Sequence, residues 1–182
     1  MAGHSKWAQI KRKKAIVDSK RGKEFTRLSR MISAESKRVS GDADSPSLRA
    51  IIEKARGLNM PKDAIERAVA KGISSADALH SKTHELYGPG AAAILIEAIT
   101  DNTNRTVQEL RHLVSKAGYP LSEPGSALWA FEKRYDQTTP TVVVDVDAAA
   151  EEALIALLSA IEEHDDVVTT ITNANGFLPS DE

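Results

Sequence analysis

The chain has 182 residues, no cysteine, a hydrophobic fraction of 41% and a net charge of −2. This length is enough for one or two compact domains with a real core, and the lack of cysteine excludes a disulfide framework and a thiolate metal site. No apolar run approaches the roughly 20 residues needed to cross a bilayer, so we expect no membrane partner.

The two parts of the chain carry opposite charge. Residues 1–72 contain 18 Lys and Arg against 8 Asp and Glu, a net charge of +10, whereas residues 73–182 contain 6 against 18, a net charge of −12. A split of this kind is typical of two functional regions, of which the basic one is a candidate for binding nucleic acid. The plainer alternative is that the two halves simply attract each other.

Three stretches of the basic region show apolar residues at helical spacing. The first runs from Asp18 to about Val39 and carries basic residues roughly opposite its apolar stripe. The second begins at Ser45–Pro46, a favourable N-cap followed by proline, and the third runs from Pro61 to a C-cap at Gly72. We therefore predict a small helical bundle over residues 1–75.

The acidic region alternates strands and helices after the stretch GISSADALHSKTH (72–84), which lacks a clear period and is predicted to be a linker. Apolar patterns predict strands at 91–100, 125–134, 139–146 and 167–174, and helices near 107–117 and 147–164. A short extra strand at 83–87 precedes the turn GPG. The βαββαβ order predicts a ferredoxin-like sandwich over residues 79–182, so the fold class is α+β.

Within the predicted strand 125–134, alternation places Ala127, Trp129 and Phe131 on one face. No constellation of catalytic residues emerges from the chain, so we expect no enzyme activity, no cofactor and no small-molecule substrate. His80 and His84 are four residues apart, but without Cys or an HExxH motif we expect no metal site.

The stretch DNTNRT (101–106) lies just before a predicted helix. It places Arg105 at a helix N-terminus, a position that favours a bound anion. The stretch is explained equally well by N-capping from one of three polar residues, Asp101, Asn102 or Asn104.

The first 30 residues contain ten Lys and Arg and one tryptophan. Lys and Arg pair with phosphates and release counterions, and Trp7 has two open roles, stacking on a base or pinning the segment to the bundle. No cleavable secretory signal is expected, since no apolar stretch follows the charges, and we expect the protein in the cytoplasm. The predicted nucleic-acid contacts are Lys6, Trp7, Lys11, Arg12, Lys13, Lys14, Lys20, Arg21, Lys23, Arg27, Arg30 and Arg105.

Several long motifs then resemble one family in the same order along the chain. They are MAGHSKWAQIKRKKAIVDSKRGKEF, ARGLNMPKDAIERAVAKG, LYGPG, DNTNRTVQELRHLVSKAGYPLSEPGSALWAFEK and DDVVTTITNAN. This chain resembles the YebC/PmpR family, whose members are named probable transcriptional regulators and whose mitochondrial branch contains translational activators. The resemblance implies a helical N-terminal domain followed by α/β modules, without enzyme activity.

One departure from the family pattern concerns the region after FEK. Typical members carry a further α/β module there, whereas FEKRYDQTTPTVVVDV runs straight through in this chain. The resemblance therefore implies a short, two-domain member. Three functions stay open: a DNA-binding transcriptional regulator, a translation factor bound to rRNA or tRNA on the ribosome, and a protein-interaction module driven by its opposite charges. No obvious helix-turn-helix reader is visible, which argues against strong base-specific recognition.

Overall fold

A computed structural model describes residues 22–74, 79–134 and 137–177 of the protein. These residues fall into two compact units, one up to Ser74 and one beyond it. The bounds 1–75 and 79–182 stay a prediction. Among the described residues, no helix combines the length and the apolar character needed to cross a membrane.

The first unit consists of three helices in its described part. They are α1 (22–38), α2 (Pro46–Gly57) and α3 (Lys62–Ser74). Pro46 opens α2 as predicted, but the Ser45 hydroxyl bonds to the Ser47 hydroxyl (2.9 Å) and caps no N–H group. The apolar stripes of the helices meet in one core, formed by Leu28, Ile32, Leu48, Ala55, Met60, Ile65 and Ala68.

Helices α1 and α3 touch through small residues. Gly72 is buried inside α3, and a Cβ there would overlap the Ser33 carbonyl oxygen and lie 2.8 Å from the Cβ of Ser36. The buried Ser33 hydroxyl donates to the Ala68 carbonyl (2.8 Å), and the Ser36 hydroxyl donates to the Val69 carbonyl (2.9 Å). The predicted C-cap at Gly72 is therefore wrong: the glycine serves close helix packing, and α3 continues to Ser74.

The second unit places helices on an antiparallel sheet. Its elements are β1 (His80–Tyr87), β2 (Ala93–Thr100), α4 (Thr103–Lys116), β3 (Phe131–Arg134), β4 (Gln137–Pro140), α5 (Ala148–Glu162) and β5 (Val167–Thr172). Short 3₁₀ turns lie at Pro89–Ala91 and Leu128–Ala130. The first of these confirms the turn predicted at GPG.

Strand β2 is the centre of the main sheet, whose order is β1-β2-β5. Ile94 and Ile96 pack against α4 and α5 on one face, in a core with Leu110, Leu154 and Ile161. On the other face, Ala93 and Leu95 pack against Ala127, Ala130 and Phe131. Burial on both faces explains why residues 91–100 form a nearly continuous apolar run, interrupted by Glu97, rather than an alternating one.

The α+β class, with a helical first unit and helices packed on a sheet in the second, is confirmed. Three details differ from the prediction. Residues 80–82 are not linker but the start of β1, an edge strand whose first residues are exposed and so show no apolar period. The extra strand predicted at 83–87 is confirmed as the rest of β1. Within the predicted strand 125–134, only Phe131–Arg134 is extended, and it pairs with Gln137–Pro140 in a separate two-stranded sheet, β3–β4. The predicted strand 139–146 is wrong beyond Pro140, where the backbone forms a single isolated bridge, between Val144 and Ala174.

The third difference concerns Trp129, which is 61% exposed although alternation predicts it beside Ala127 and Phe131. The stretch before β3 is not extended, because its backbone N–H groups turn toward the carboxylate of Glu85.

Candidate nucleic-acid interface

Most of the predicted contact residues lie outside the described part of the chain. This applies to Lys6, Trp7, Lys11, Arg12, Lys13, Lys14, Lys20 and Arg21. The structure places the remaining residues of the N-terminal set, Lys23, Arg27 and Arg30, together on α1, where all three are half-buried. Their part in binding nucleic acid stays a prediction.

The structure adds basic residues on α2 and α3 that the sequence analysis did not select. They are exposed on the polar faces of these helices: Arg49, Lys54, Arg56, Lys62, Arg67 and Lys71. Lys62 pairs with Glu66 (3.5 Å), and Arg49 donates to the Asp44 carbonyl (3.0 Å). The helical spacing used for α1 identifies these residues equally well, because they lie opposite the apolar stripes.

Arg105 lies on the second unit and is surrounded by carboxylates. Its Nη2 donates to Asp166 Oδ2 (2.8 Å) and to Asp101 Oδ1 (3.0 Å), and Glu109 lies 3.8 Å from its Nε. The hydrogen bond and the charge of Asp166 raise the pKa of Arg105 above its ordinary value. Asp166 is buried and also accepts a hydrogen bond from the Thr106 hydroxyl (2.6 Å). Arg105 and Thr106 therefore tie the start of α4 to the start of β5.

The capping alternative for the motif DNTNRT is confirmed for Asn102. Its side-chain oxygen accepts a hydrogen bond from the Arg105 N–H (3.0 Å) at the N-terminus of α4. An anion contact by the Arg105 side chain stays a prediction. The three carboxylates that face its guanidinium compete with such an anion.

Glu109, His164 and Asp166 bring three possible ligand atoms within 4.8 Å of one another in the described residues. His164 Nδ1 accepts the Asp166 N–H (3.1 Å), which assigns the proton of the neutral ring to Nε2, facing Glu109 Oε2 at 3.0 Å. In that tautomer Nε2 carries a proton and offers no lone pair to a metal, and the Arg105 cation already pairs with both carboxylates. The cluster is an ion-pair network between α4 and the short connection from α5 to β5, and we propose no metal there. His80 and His84 lie on β1.

Glu85 is the other buried carboxylate that organises the second unit. It accepts three backbone N–H groups, from Gly125 (2.7 Å), Ala127 (2.7 Å) and Leu128 (2.8 Å). Burial by itself raises the pKa of Glu85, but these three hydrogen bonds outweigh burial and hold the pKa below its ordinary value of 4.5. The sequence analysis missed Glu85, because nothing in the pattern THELY separates a buried carboxylate from an exposed one.

Two family profiles match the chain. One, described as the TACO1/YebC protein N-terminal domain, matches residues 5–75, and the other, the TACO1/YebC second and third domain, matches residues 79–135.

Individual relatives agree with these matches. A protein of Syntrophus aciditrophicus is 42% identical over 181 residues, covering 97% of this chain and 72% of that protein. A protein of Geotalea uraniireducens is 40% identical, covering 98% of this chain and 73% of that protein. Both are named "Probable transcriptional regulatory protein". The crystal structure of a conserved hypothetical protein from Aquifex aeolicus superimposes with a TM-score of 0.79 at 26% identity, covering 91% of this chain and 93% of that one. The chain belongs to the TACO1/YebC family.

Proposed function

We propose that this protein is a regulator of transcription that acts in the cytoplasm by binding DNA through its basic N-terminal region. The names of its relatives support a role in transcription. The observation that carries the proposal is the charge split, with +10 on residues 1–72 and −12 on residues 73–182. Phosphates are attracted to the first region and repelled by the second.

The described helices of the first unit are also basic. Residues 22–74 carry 11 Lys and Arg against 7 Asp and Glu. Lys54, Arg56, Arg67 and Lys71 are exposed and form no salt bridge with any residue that the structure describes. The proposal therefore assigns most phosphate contacts to the N-terminal segment, and further contacts to α2 and α3.

Substitution of the KRKK run tests the proposal. Lys11, Arg12, Lys13 and Lys14 are replaced together by Gln, and binding to several unrelated duplex DNA sequences is measured over a salt series. We expect weaker binding to every sequence alike, because phosphate contacts carry no sequence information. The log–log salt slope should flatten by about 0.9 for each DNA phosphate that the variant no longer neutralises.

A matched control removes four positive charges from the acidic region, Lys82, Arg111, Lys116 and Lys133, again by change to Gln. This variant should keep both the affinity and the salt slope. An unchanged slope in the KRKK variant, or equal losses in both variants, would overturn the proposal.

Single-stranded RNA is titrated beside the duplex DNA to determine the class of nucleic acid. We expect the duplex to bind more tightly at matched salt. Clearly tighter binding of RNA, with the slope of the KRKK variant flatter by about 0.7 for each RNA phosphate no longer neutralised, would replace the proposal by the translational alternative.

Trp7→Ala separates the two open roles of that side chain. If Trp7 stacks on a base, affinity falls by about 1–3 kcal/mol with little change in salt slope. If it packs on the bundle, the free energy of unfolding falls instead, which is measured in urea on the same protein.

A further inference from the structure

Four apolar side chains lie exposed together on the second unit, at the open end of the β3–β4 hairpin. They are Leu128 (48% exposed), Trp129 (61%), Val142 (41%) and Val143 (47%), and we call them the apolar ledge. The two segments are neighbours because the Ala130 carbonyl accepts the N–H groups of Thr141 (2.8 Å) and Val142 (3.4 Å). Single exposed apolar residues are ordinary, but a contiguous group of them marks a binding surface.

Hydrogen bonds fix the loop that carries Leu128 and Trp129. Trp129 Nε1–H donates to the Tyr87 hydroxyl (2.9 Å), which in turn donates to the Ser126 carbonyl (2.6 Å). Glu85 fixes the same loop through the Leu128 N–H. The indole N–H of Trp129 therefore has a hydrogen-bond partner within the unit, while the indole ring stays exposed. A surface fixed in this way loses little side-chain entropy when a partner binds.

The segment that follows Val143 is acidic. Exposure alternates along residues 143–147, so Asp145 and Asp147 follow Val143 on the outward side while Val144 and Val146 face inward. Residues 73–182 as a whole carry 18 Asp and Glu against 6 Lys and Arg. A nucleic acid or an acidic protein face would be repelled here. The charge favours a polypeptide that combines an apolar anchor with Lys and Arg.

We propose that the apolar ledge binds residues 6–14 of a second copy of this chain. That segment, KWAQIKRKK, offers Trp7 and Ile10 as anchors and five positive charges. Its chemistry complements the ledge on both counts, apolar to apolar and basic to acidic. When two copies exchange these segments reciprocally, the contact closes into a two-fold dimer.

A consequence follows for nucleic acid. Because the same segment contains the KRKK run, DNA and the ledge compete for it. Adding DNA should then dissociate the dimer.

The first experiment measures molar mass by sedimentation against protein concentration, at low and at physiological salt. We compare the wild type with a ledge variant, Leu128→Ser/Val143→Ser, and with Ile155→Ser, which changes an exposed apolar residue of α5 in the same unit. We expect a wild-type dimer that weakens with salt, at least about tenfold weaker association in the ledge variant, and no change in Ile155→Ser. Circular dichroism checks that each variant is folded.

The second experiment locates the contact. A photo-reactive amino acid replaces Val143, and ¹⁴N and ¹⁵N copies of the protein are mixed before illumination. We expect cross-links from residue 143 to peptides of residues 1–21 that join the two isotopes. A wild-type protein that stays monomeric, equal effects of the ledge variant and Ile155→Ser, or cross-links within one copy or to added DNA would overturn the proposal.

Different experimental results would contradict the proposed dimer contact and the proposed function. A ledge variant that associates like the wild type overturns only the dimer contact. A four-Gln KRKK variant that binds DNA normally but no longer dimerises overturns only the proposed function.

Discussion

Glu85 shows what one residue contributes to the second unit. Its buried carboxylate satisfies three backbone N–H groups of a loop that crosses the outer face of the sheet. The loop covers Ala93 and Leu95 and carries Trp129. A polar strand residue thereby determines where an aromatic residue 44 positions later is exposed.

Glu85→Gln should lower the free energy of unfolding by about 2–3 kcal/mol at pH 7. The amide keeps the size of the side chain, but it replaces a charged acceptor with a neutral oxygen and an NH₂ group that faces donors. Urea denaturation measures the loss. Glu123→Gln, an exposed change in the same loop, should stay within about 0.5 kcal/mol of the wild type. Equal values for the two variants would contradict the role given to Glu85.

The pH dependence of this difference follows from the lowered pKa of Glu85. Because the pKa of Glu85 is lower in the folded protein than in the unfolded chain, its contribution is complete above the ordinary value of 4.5 and is lost as pH falls through the folded value. The stability gap between wild type and Glu85→Gln should therefore be constant near neutrality and shrink below about pH 4.5. A stability difference between wild type and Glu85→Gln that grows on acidification would contradict a lowered pKa of Glu85 in the folded protein.

Arg105 has two candidate roles, a structural ion pair with Asp166 and a predicted phosphate contact, and one variant distinguishes them. Arg105→Gln removes the guanidinium that pairs with the buried carboxylate of Asp166, so the free energy of unfolding should fall. Arg111→Gln, an exposed change on α4, serves as the control. Urea denaturation and DNA titration are carried out on both variants. A loss of DNA affinity at unchanged stability would show that Arg105 contacts phosphate, as the sequence predicts.

At the scale of elements, the first unit depends on how closely α1 approaches α3. Gly72→Ala should cost about 1–3 kcal/mol, because the added Cβ overlaps the Ser33 carbonyl and the two helices must separate. Gly57→Ala, in α2 with open space around the new methyl group, should be neutral or slightly stabilising through helix propensity. Thermal and urea unfolding of both variants test this, and a Gly72→Ala protein as stable as Gly57→Ala would contradict the packing account.

At the scale of the whole molecule, each of the two compact units has its own core. We expect unfolding in two transitions, with Gly72→Ala shifting one and Glu85→Gln shifting the other. Far-ultraviolet circular dichroism is followed together with hydrogen exchange, which assigns each transition to its residues. A single transition that both variants shift equally would mean that the units unfold as one.

Much of this protein follows from the sequence alone. Periodic apolar residues locate the helices and most strands of the described chain, since side chains at 3.6- or 2-residue spacing must share a buried face. Leu28 and Ile32 of α1, and Leu154 and Ile161 of α5, are buried, as their helical spacing indicates. The family and the charge split can also be identified from the sequence, because both depend on the identity and order of the residues rather than on their contacts.

Only the tertiary structure decided the features that depend on long-range partners. The sequence around Gly72 predicts a helix end, but in the structure Ser33 packs against this glycine inside α3. The sequence of residues 80–82 predicts a linker, but pairing with β2 makes them part of a strand. Residues 125–128 read as a strand until Glu85, some 40 positions earlier, captures their N–H groups. In each case the local pattern is outweighed by a partner far away in sequence. The hydrogen bonds and steric limits that this partner imposes act on the backbone, and local periodicity does not report them.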